Sequence, residues 1–401
     1  MAFPTVFAKP LDKVRAPVVT MEGSTLRLIH TSDWHIGKVF NAVDDRALVL
    51  LQKARLDTVD RIGKLAMAEN ARTVLVAGDV YDKPNPDATT LAQPLEVMRH
   101  FSAVTWHLIP GNHDPDLPGG IWHRVHTIGV PDNVQVHREP APVSLDDRTF
   151  LLPAPLRQKH SNGDPTAWMD DAPTPEGARR IGLAHGSIAD FGESEVTPNL
   201  IAPDRAKRAG LAYLALGDWH GTKAISPNTW YAGTPEPDSF DQKESGQALD
   251  VDLDQPGLRV TAHPIARHRW MKEAVTLQSG DDIRRFEQRI RSEQPDLSRL
   301  LLRLDVQGML TLNEHDLFER LIAETGLKAA LAHLDLKREH LILRPSEDEL
   351  DQLTDDRVIK DAIRRLRDVA EQEGHPERRA AERAIEHLQL ACHRRRQEAA
   401  A

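Results

Sequence analysis

Short β-branched hydrophobic runs alternate with amphipathic helical patterns between residues 25 and 245. This alternation is typical of a layered α/β domain. Two helices are predicted over 44–69 and 87–100, where apolar residues recur at approximately helical spacing. The predicted strands are 26–30, 73–77, 104–109, 150–152, 181–184 and 211–216.

The pattern changes after residue 245. Two alternating strands and then a strand–helix–strand–helix–strand series predict a small α+β domain. An acidic segment and two further helices follow, and Gly374 and Pro376 mark the end of one helix and the start of the next. The predicted organisation is a flexible leader, an α/β domain, a capping domain, and an acidic linker with C-terminal helices: 1–24, 25–245, 246–345 and 346–401.

Composition excludes several classes of protein. No stretch approaches the ~18 uninterrupted apolar residues of a membrane helix, and the N-terminus lacks the apolar core of a secretory signal. The single cysteine, Cys392, cannot form an intrachain disulfide or a thiolate metal site, so a cytoplasmic location is expected. The net charge of −10 argues against binding nucleic acid through bulk charge. A locally positive site, for instance one built on metal ions, remains open.

Five of the predicted strands lead directly into good metal ligands. Ligand sites gather at the carboxyl ends of strands in α/β sheets, so these side chains are expected to converge. Any one of these segments alone is an ordinary turn, but their joint occurrence at five strand ends indicates a metal site. The predicted ligands are Asp33, His35, Asp79, Asn112, His185, Asp218 and His220.

The ligand types indicate the class of metal site. Carboxylate, imidazole and amide oxygen without thiolate suit Mn²⁺, Fe or Zn²⁺ better than a structural zinc cage. Seven ligands are too many for one ion with an open position, but they suit two ions that share a bridging carboxylate. Paired ions ~3.5–4 Å apart clamp phosphate oxygens and activate water. Phosphoester hydrolysis is therefore the expected chemistry.

Four segments carry a family resemblance: 31–37, 77–82, 110–114, and 232–237 followed by Ser239 and Phe240. The chain resembles the calcineurin-like metallophosphoesterases, and within them the SbcD and Mre-type DNA-repair exonucleases. The resemblance covers about 25–245 and extends to about 345 through domain order. It implies a four-layer α/β sandwich of two mixed sheets flanked by helices, a small α+β capping domain and a C-terminal helical pair.

The resemblance also implies a role for each ligand. Asp33, His35 and His220 would bind the first ion, and Asp79 would bridge. Asn112, His185 and Asp218 would bind the second ion. His113 would contact the scissile phosphate as a general acid or transition-state stabiliser, and Asp114 would orient it. The resemblance leaves the substrate-binding residues unknown.

One position departs from the family pattern. The family's Gly-His-x-His is Gly217-Asp218-Trp219-His220 here, so a carboxylate replaces an imidazole. Asp218 would give the site a harder, more Mn²⁺- or Mg²⁺-like preference, or a weakly held second ion. Alternatively, Asp218 orients a water or His185 without reaching the metal.

The function implied by the resemblance is a Mn²⁺-dependent DNA nuclease, acting as an exonuclease or endonuclease in DNA repair. It would hydrolyse phosphodiesters with a hydroxide activated by two metals. Its expected partners are DNA, a second copy of the chain, and an SbcC-like SMC-type ATPase bound through the C-terminal helices. Two rival hypotheses stay open: a phosphoesterase acting on a small phosphodiester or phosphomonoester, and a metal-poor, non-catalytic scaffold.

Overall fold

A computed structural model describes residues 26–83, 85–188, 198–254, 257–294, 296–323, 326–344, 357–372, 374–385, 387–388 and 391. The predicted leader, the acidic segment 346–356, the last residues of the second C-terminal helix and Cys392 lie outside the described residues. Within them, no helix combines the length and the apolar character needed to cross a membrane.

Strands and helices alternate through the first part of the chain. The strands are β1 Arg27–Thr31, β2 Thr73–Val76, β3 Thr105–Leu108, β4 Val134–Val136, β5 Val143–Ser144, β6 Thr149–Ala154, β7 Arg179–His185, β8 Ser187–Ile188, β9 Leu200–Ile201, β10 Leu211–Gly217, β11 Lys223–Ser226, β12 Thr229–Tyr231, β13 Gln247–Asp252, β14 Arg259–Pro264, β15 Arg269–Leu277, β16 Leu300–Leu310 and β17 His333–Leu343. The helices are α1 Asp45–Ala68, α2 Ala88–Arg99, α3 Ile121–Ile128, α4 Arg205–Arg208, α5 Gly280–Glu293, α6 Leu312–Ile322, α7 Leu327–Ala330 and α8 Arg357–Ala370.

Two six-stranded sheets form the centre of the molecule. The first has the order β14-β13-β1-β2-β3-β4, and the second has the order β11-β12-β10-β7-β6-β5. Both are mixed: β13 is antiparallel to β1 whereas β1, β2 and β3 are parallel, and β5 is antiparallel to β6 whereas β6, β7 and β10 are parallel. The predicted α/β class and the two mixed sheets with flanking helices are confirmed.

Three apolar layers hold these sheets. Buried residues from the facing strands, including Leu28, Leu183 and Tyr213, fill the space between the two sheets. Helices α1 to α3 cover the other face of the first sheet through a second cluster that contains Val59 and Trp106. A third cluster packs α4 and the loop around Met169 against the second sheet. These layers fix the carboxyl ends of the strands relative to one another.

The boundary predicted between residues 245 and 246 needs a correction. Strands β13 and β14 were predicted as the start of the capping domain, but β13 pairs with β1 along four residues and β14 pairs with β13. Their alternating pattern is equally typical of edge strands with one solvent-exposed face, so periodicity could not show which unit these two strands belong to. The boundary therefore falls between β14 and β15.

The remaining elements form a smaller α+β unit. Strands β15, β16 and β17 make a parallel three-stranded sheet, and α5 and α6 cover one face of it around Phe286 and Phe318. A small seam of Phe40, Leu51 and Leu301 packs this unit against the larger α/β unit. Helix α8 follows, and residues 378–385 are also helical.

Candidate metal centre

The loops that follow β1, β2, β3, β7 and β10 meet where the two sheets face each other. Backbone hydrogen bonds link the first two loops, since Asp33 N donates to Gly78 O at 3.1 Å and His35 N donates to Asp79 O at 3.0 Å. Four of the predicted ligands have positive φ angles: Asp33 at 54°, His35 at 47°, Asp79 at 54° and Asp218 at 100°. Non-glycine residues rarely adopt this conformation, and such strain clusters at functional sites.

Asp33, His35 and His220 form the first group. Each offers a ligand atom, and these atoms lie within 4.8 Å of one another. The His35 and His220 Nε2 atoms are 3.2 Å apart. Two imidazole nitrogens that share one ion at ~2.0–2.1 Å are themselves ~3–3.4 Å apart at tetrahedral or octahedral angles. The spacing therefore suits a shared cation.

Asp33, Asp79 and His185 form the second group. His185 Nδ1 lies 2.8 Å from the Ala77 carbonyl, to which it must donate, so Nε2 is the acceptor when the ring is neutral, as it must be to bind a metal ion. Nε2 is 3.6 Å from Asp79 Oδ2, and it is buried without a hydrogen-bond partner among the described residues. Asp79 Oδ2 also lies 3.8 Å from His35 Nε2, between the two groups.

Asn112 and Asp218 lie at the edge of the second group. Asn112 Nδ2 donates to Asp218 Oδ1 at 3.0 Å, and Ser187 Oγ donates to Asp218 Oδ2 at 2.6 Å. The Asn112 Oδ1 atom is buried and has no hydrogen-bond partner among the described residues. Asp218 Oδ1 is 3.7 Å from His185 Nε2. The structure thus brings all seven predicted ligands together, with both Asp218 oxygens already hydrogen-bonded.

The charges of this pocket suit bound cations. Asp33 and Asp79 are almost fully buried, at 0% and 2% exposure. Burial raises the pKa of Asp33. Burial opposes a charge on His185, but Asp79, Asp33 and Asp218 outweigh it and raise the pKa of His185 to about 9. Like charges ~4 Å apart cost ~4 kcal/mol at an effective dielectric constant of 20, so divalent ions would relieve a repulsion that the fold imposes. Unpaired acceptors and excess negative charge fit a dinuclear centre.

The orientation of His113 differs from the prediction. His113 Nδ1 lies 3.0 Å from the Asp82 carbonyl oxygen, so Nδ1 carries the hydrogen and the Nε2 atom remains available. The imidazole packs edge-on against His35, with ring centroids 4.8 Å apart, and is 39% exposed. Asp82 therefore orients His113, and the prediction that Asp114 does so is wrong.

The Asp114 carboxylate binds two backbone amides. Its oxygens accept backbone hydrogen bonds from Gly111 at 2.7 Å and Tyr81 at 3.0 Å. The side chain is completely buried, and burial raises its pKa well above the usual range. Asp114 consequently joins the loop after β2 to the loop after β3, and each of its two oxygens accepts from one of these amides. Asp114 therefore stabilises two loops that carry site residues.

Two carboxylates behind the histidines were missed. Asp82 Oδ1 lies 3.3 Å from His35 Nδ1. Asp238 Oδ1 lies 3.8 Å from His220 Nδ1, and the Gln242 amide lies between them, 2.6 Å from that nitrogen. Partners of this kind fix the orientation of ligating imidazoles. Asp82 ends one of the four family-like segments and Asp238 follows another, so proximity to these segments was the available signal.

Lys38 connects the two carboxylates. Its Nζ is 3.7 Å from Asp82 Oδ1 and 2.9 Å from Asp238 Oδ2, and the buried Arg55 is 3.0 Å from the latter oxygen. Burial would raise the pKa of Asp238, but His220, Arg55 and Lys38 outweigh burial and hold it well below its usual range. This ionised carboxylate stays available to His220.

Two glycines allow the loops to approach this closely. A Cβ atom on Gly78 would lie 2.4 Å from His185 Nδ1, and one on Gly111 would lie 2.2 Å from Asp79 Oδ1. Gly78 also has a φ of +84°, which favours glycine. Both positions therefore exclude any side chain.

Comparison with known proteins gives three kinds of match. A family model described as calcineurin-like phosphoesterase matches residues 26–248. A separate match, to the C-terminal domain of the 3-isopropylmalate dehydratase small subunit, spans only residues 274–298 and is too short to show a second family. Two solved structures, TT1561 of Thermus thermophilus and the yellow lupin purple acid phosphatase PPD1, have TM-scores of 0.39 and 0.38. Each is 12% identical and covers 60% of this chain, which covers 99% and 52% of them, and these scores are too low to bear on the assignment.

Two curated relatives carry the same name, that of the D subunit of the SbcCD nuclease. The one from Rhodobacter capsulatus is 30% identical over 137 residues, and the one from Bacillus subtilis is 31% identical over 126 residues. These matches cover 32% and 28% of this chain, and they span only 31% and 30% of the relatives' own lengths. The family match is far broader, contains every predicted ligand and is that of phosphoester hydrolases with a dinuclear metal site. Because it extends over more than half of the sequence, the chain belongs to the calcineurin-like phosphoesterase family.

Proposed function

We propose that the chain is a metal-dependent DNA nuclease that hydrolyses phosphodiester bonds. The observation that carries this proposal is the convergence of two ligand groups that share Asp33. Asp79 Oδ2 lies near a histidine of each group, and His113 lies beside them at the surface. The two relatives named for the SbcCD nuclease support a nucleic-acid substrate over a small ester. An exonuclease of DNA repair is the specific form that we propose.

The residues divide between two ions. Asp33, His35 and His220 would hold one ion, Asn112 and His185 would hold the other, and Asp79 would bridge them. Asp218 completes the second group by directing the Asn112 oxygen inward, through the hydrogen bond that it accepts from Asn112 Nδ2. Two divalent ions held there would neutralise charge on a phosphate and lower the pKa of a water molecule. Oxygen and imidazole donors without thiolate favour Mn²⁺, with Mg²⁺, Fe or Zn²⁺ as alternatives.

His113 would act on the leaving oxygen. The hydrogen bond from Nδ1 to the Asp82 carbonyl keeps the other ring nitrogen for the substrate. The Asp82 carboxylate lies 4.0 Å from Nδ1, and Nε2 is the atom from which His113 would donate a hydrogen to the leaving oxygen. The His113 backbone amide also donates to Asp79 Oδ1 at 2.8 Å, so one residue connects the proposed proton donor to the proposed bridge.

The direct test compares substrates. Purified protein with Mn²⁺ should degrade labelled DNA, and EDTA should stop the reaction. His113→Ala should lower kcat on DNA by about 10²- to 10⁴-fold while both ions stay bound. The exposed His126, on α3, provides the matched control, and His126→Ala should keep wild-type turnover.

Two results would redirect the assignment. Hydrolysis of p-nitrophenyl phosphate esters without cleavage of DNA would favour a phosphoesterase for small substrates. At most one bound ion and indifference to His113→Ala would favour a non-catalytic scaffold.

The partners that we propose are those suggested by the name of the two relatives, the D subunit of the SbcCD nuclease. An SbcC-like SMC-type ATPase would bind the C-terminal helices, and it would add DNA-binding surface to that of this acidic chain. On α8 the described side chains include a buried Ile363 and a Val358 that is 75% exposed. A homodimer in the cytoplasm completes the proposal. Pull-down of an SbcC-type ATPase by the full chain, but not by a chain truncated after residue 344, is the expected result.

A further inference from the structure

Trp219 is an exposed aromatic residue that lies between two of the predicted metal ligands in the sequence. Of the chain's seven tryptophans, all within the described residues, Trp219 alone is exposed, at 48%. Its neighbours on both sides, Asp218 and His220, belong to the two ligand groups. Much of the apolar surface of the Trp219 indole is therefore exposed to solvent, although burying such a ring is strongly favourable.

The backbone beneath the indole is fixed. Asp218 N donates to Asp33 Oδ1 at 3.2 Å, and Thr234 N donates to the His220 carbonyl at 3.0 Å. A Cβ atom on Gly221 would lie 3.0 Å from Trp219 Nε1, so the ring edge rests on that glycine. The indole is therefore placed by a rigid loop, and ordering it on a ligand would cost little further entropy.

A lysine ammonium group lies over this ring. Lys223 Nζ lies over the indole, 5.3 Å from its centroid. An exposed aromatic ring beside a basic side chain is the kind of arrangement with which proteins stack the bases and neutralise the phosphates of single-stranded nucleic acid.

We propose that Trp219 stacks on an unpaired base next to the scissile phosphate and thereby makes single-stranded nucleic acid the preferred substrate. This inference rests on the proposed nuclease function and adds the form of the substrate to it. The stack requires a ring and no particular base, so sequence preference should be weak. Trp219 acts on binding, whereas His113 and the metal ligands act on the bond that breaks.

The test uses two strands that differ only in their bases. One is oligodeoxythymidylate, and the other is an abasic deoxyribose-phosphate strand of the same length. Wild type with Mn²⁺ should have a KM about 5- to 150-fold lower for the strand with bases. Trp219→Ala should remove this difference at an unchanged kcat and an unchanged metal content, and Trp219→Phe should retain part of it. Ile342→Ala, at an apolar position that is 55% exposed on β17, is the control and should behave as wild type.

The outcomes separate the two proposals. If the wild type cleaves DNA and Trp219→Ala keeps the full preference for the strand with bases, the stacking alone is overturned. If Trp219→Ala weakens the binding of both strands equally, the stacking is also overturned, because Trp219 would then stabilise the loop and not contact the base. A wild type that cleaves neither strand overturns the nuclease function, and the stacking with it.

Discussion

Gly111→Ala is the sharpest perturbation of the proposed dinuclear centre. The new Cβ atom would lie 2.2 Å from Asp79 Oδ1 and 2.5 Å from the Asp79 amide nitrogen. Ordinary van der Waals contacts of a Cβ atom lie at 3.4–4 Å, so the proposed bridge must move by about 1 Å. Metal sites tolerate errors of only ~0.2 Å in ligand distance, so both ions should lose this ligand.

The size of the loss can be bounded. Disturbing a residue that only orients a ligand typically costs 10- to 100-fold in metal affinity. Displacing the bridge itself should cost at least ~100-fold, or about 3 kcal/mol, and lower kcat on DNA in parallel. Titration calorimetry with Mn²⁺ measures the affinity and the number of ions. Gly163→Ala is the matched control, because a Cβ atom there meets nothing within 4 Å. Two ions bound to Gly111→Ala with wild-type affinity would refute the placement of Asp79.

Three further predictions concern Asp79, Asp82 and the pair His107 and His137. Asp79→Ala should lose both ions, whereas a scaffold role predicts no change, and elemental analysis of the dialysed protein decides. Asp82→Ala should lower kcat on DNA by about tenfold or more with two ions retained, because His113 loses the carboxylate beside it; loss of metal would show that Asp82 serves His35 instead. Burial lowers the pKa of His107 to about 3 and of His137 to about 4, so below pH ~6.5 the unfolded chain binds more protons. Between pH 7.5 and 5 the free energy of unfolding should fall by ~2 kcal/mol for each histidine. Denaturant curves in EDTA should show this, and an equal fall in His137→Gln would contradict it.

The sequence was most informative where strand periodicity and ligand chemistry coincide. His185 and Asp79 could be placed because the first ends and the second follows a largely buried strand, and parallel strands bring their carboxyl ends to the same edge. The relation between the two sheets could not be read in this way. Periodicity shows which face of a strand is buried but not which sheet it joins, and for that reason β13 and β14 were assigned to the wrong side of the boundary.

Contacts behind the ligands were the least predictable part. Asp114 follows His113 directly, so sequence proximity suggested that they interact, but its carboxylate turns back to the Gly111 and Tyr81 amides. Asp82 reaches His35 and His113 because two loops are joined by backbone pairing between Ile36 and Tyr81. No spacing rule encodes such a contact, because it depends on where the two loops lie in space.

The dinuclear centre is tested most directly by anomalous scattering from a crystal soaked in Mn²⁺. Two peaks are predicted, one at Asp33, His35 and His220 and the other at Asn112 and His185, with Asp79 bound to both. A single peak, or peaks away from these side chains, would contradict the account.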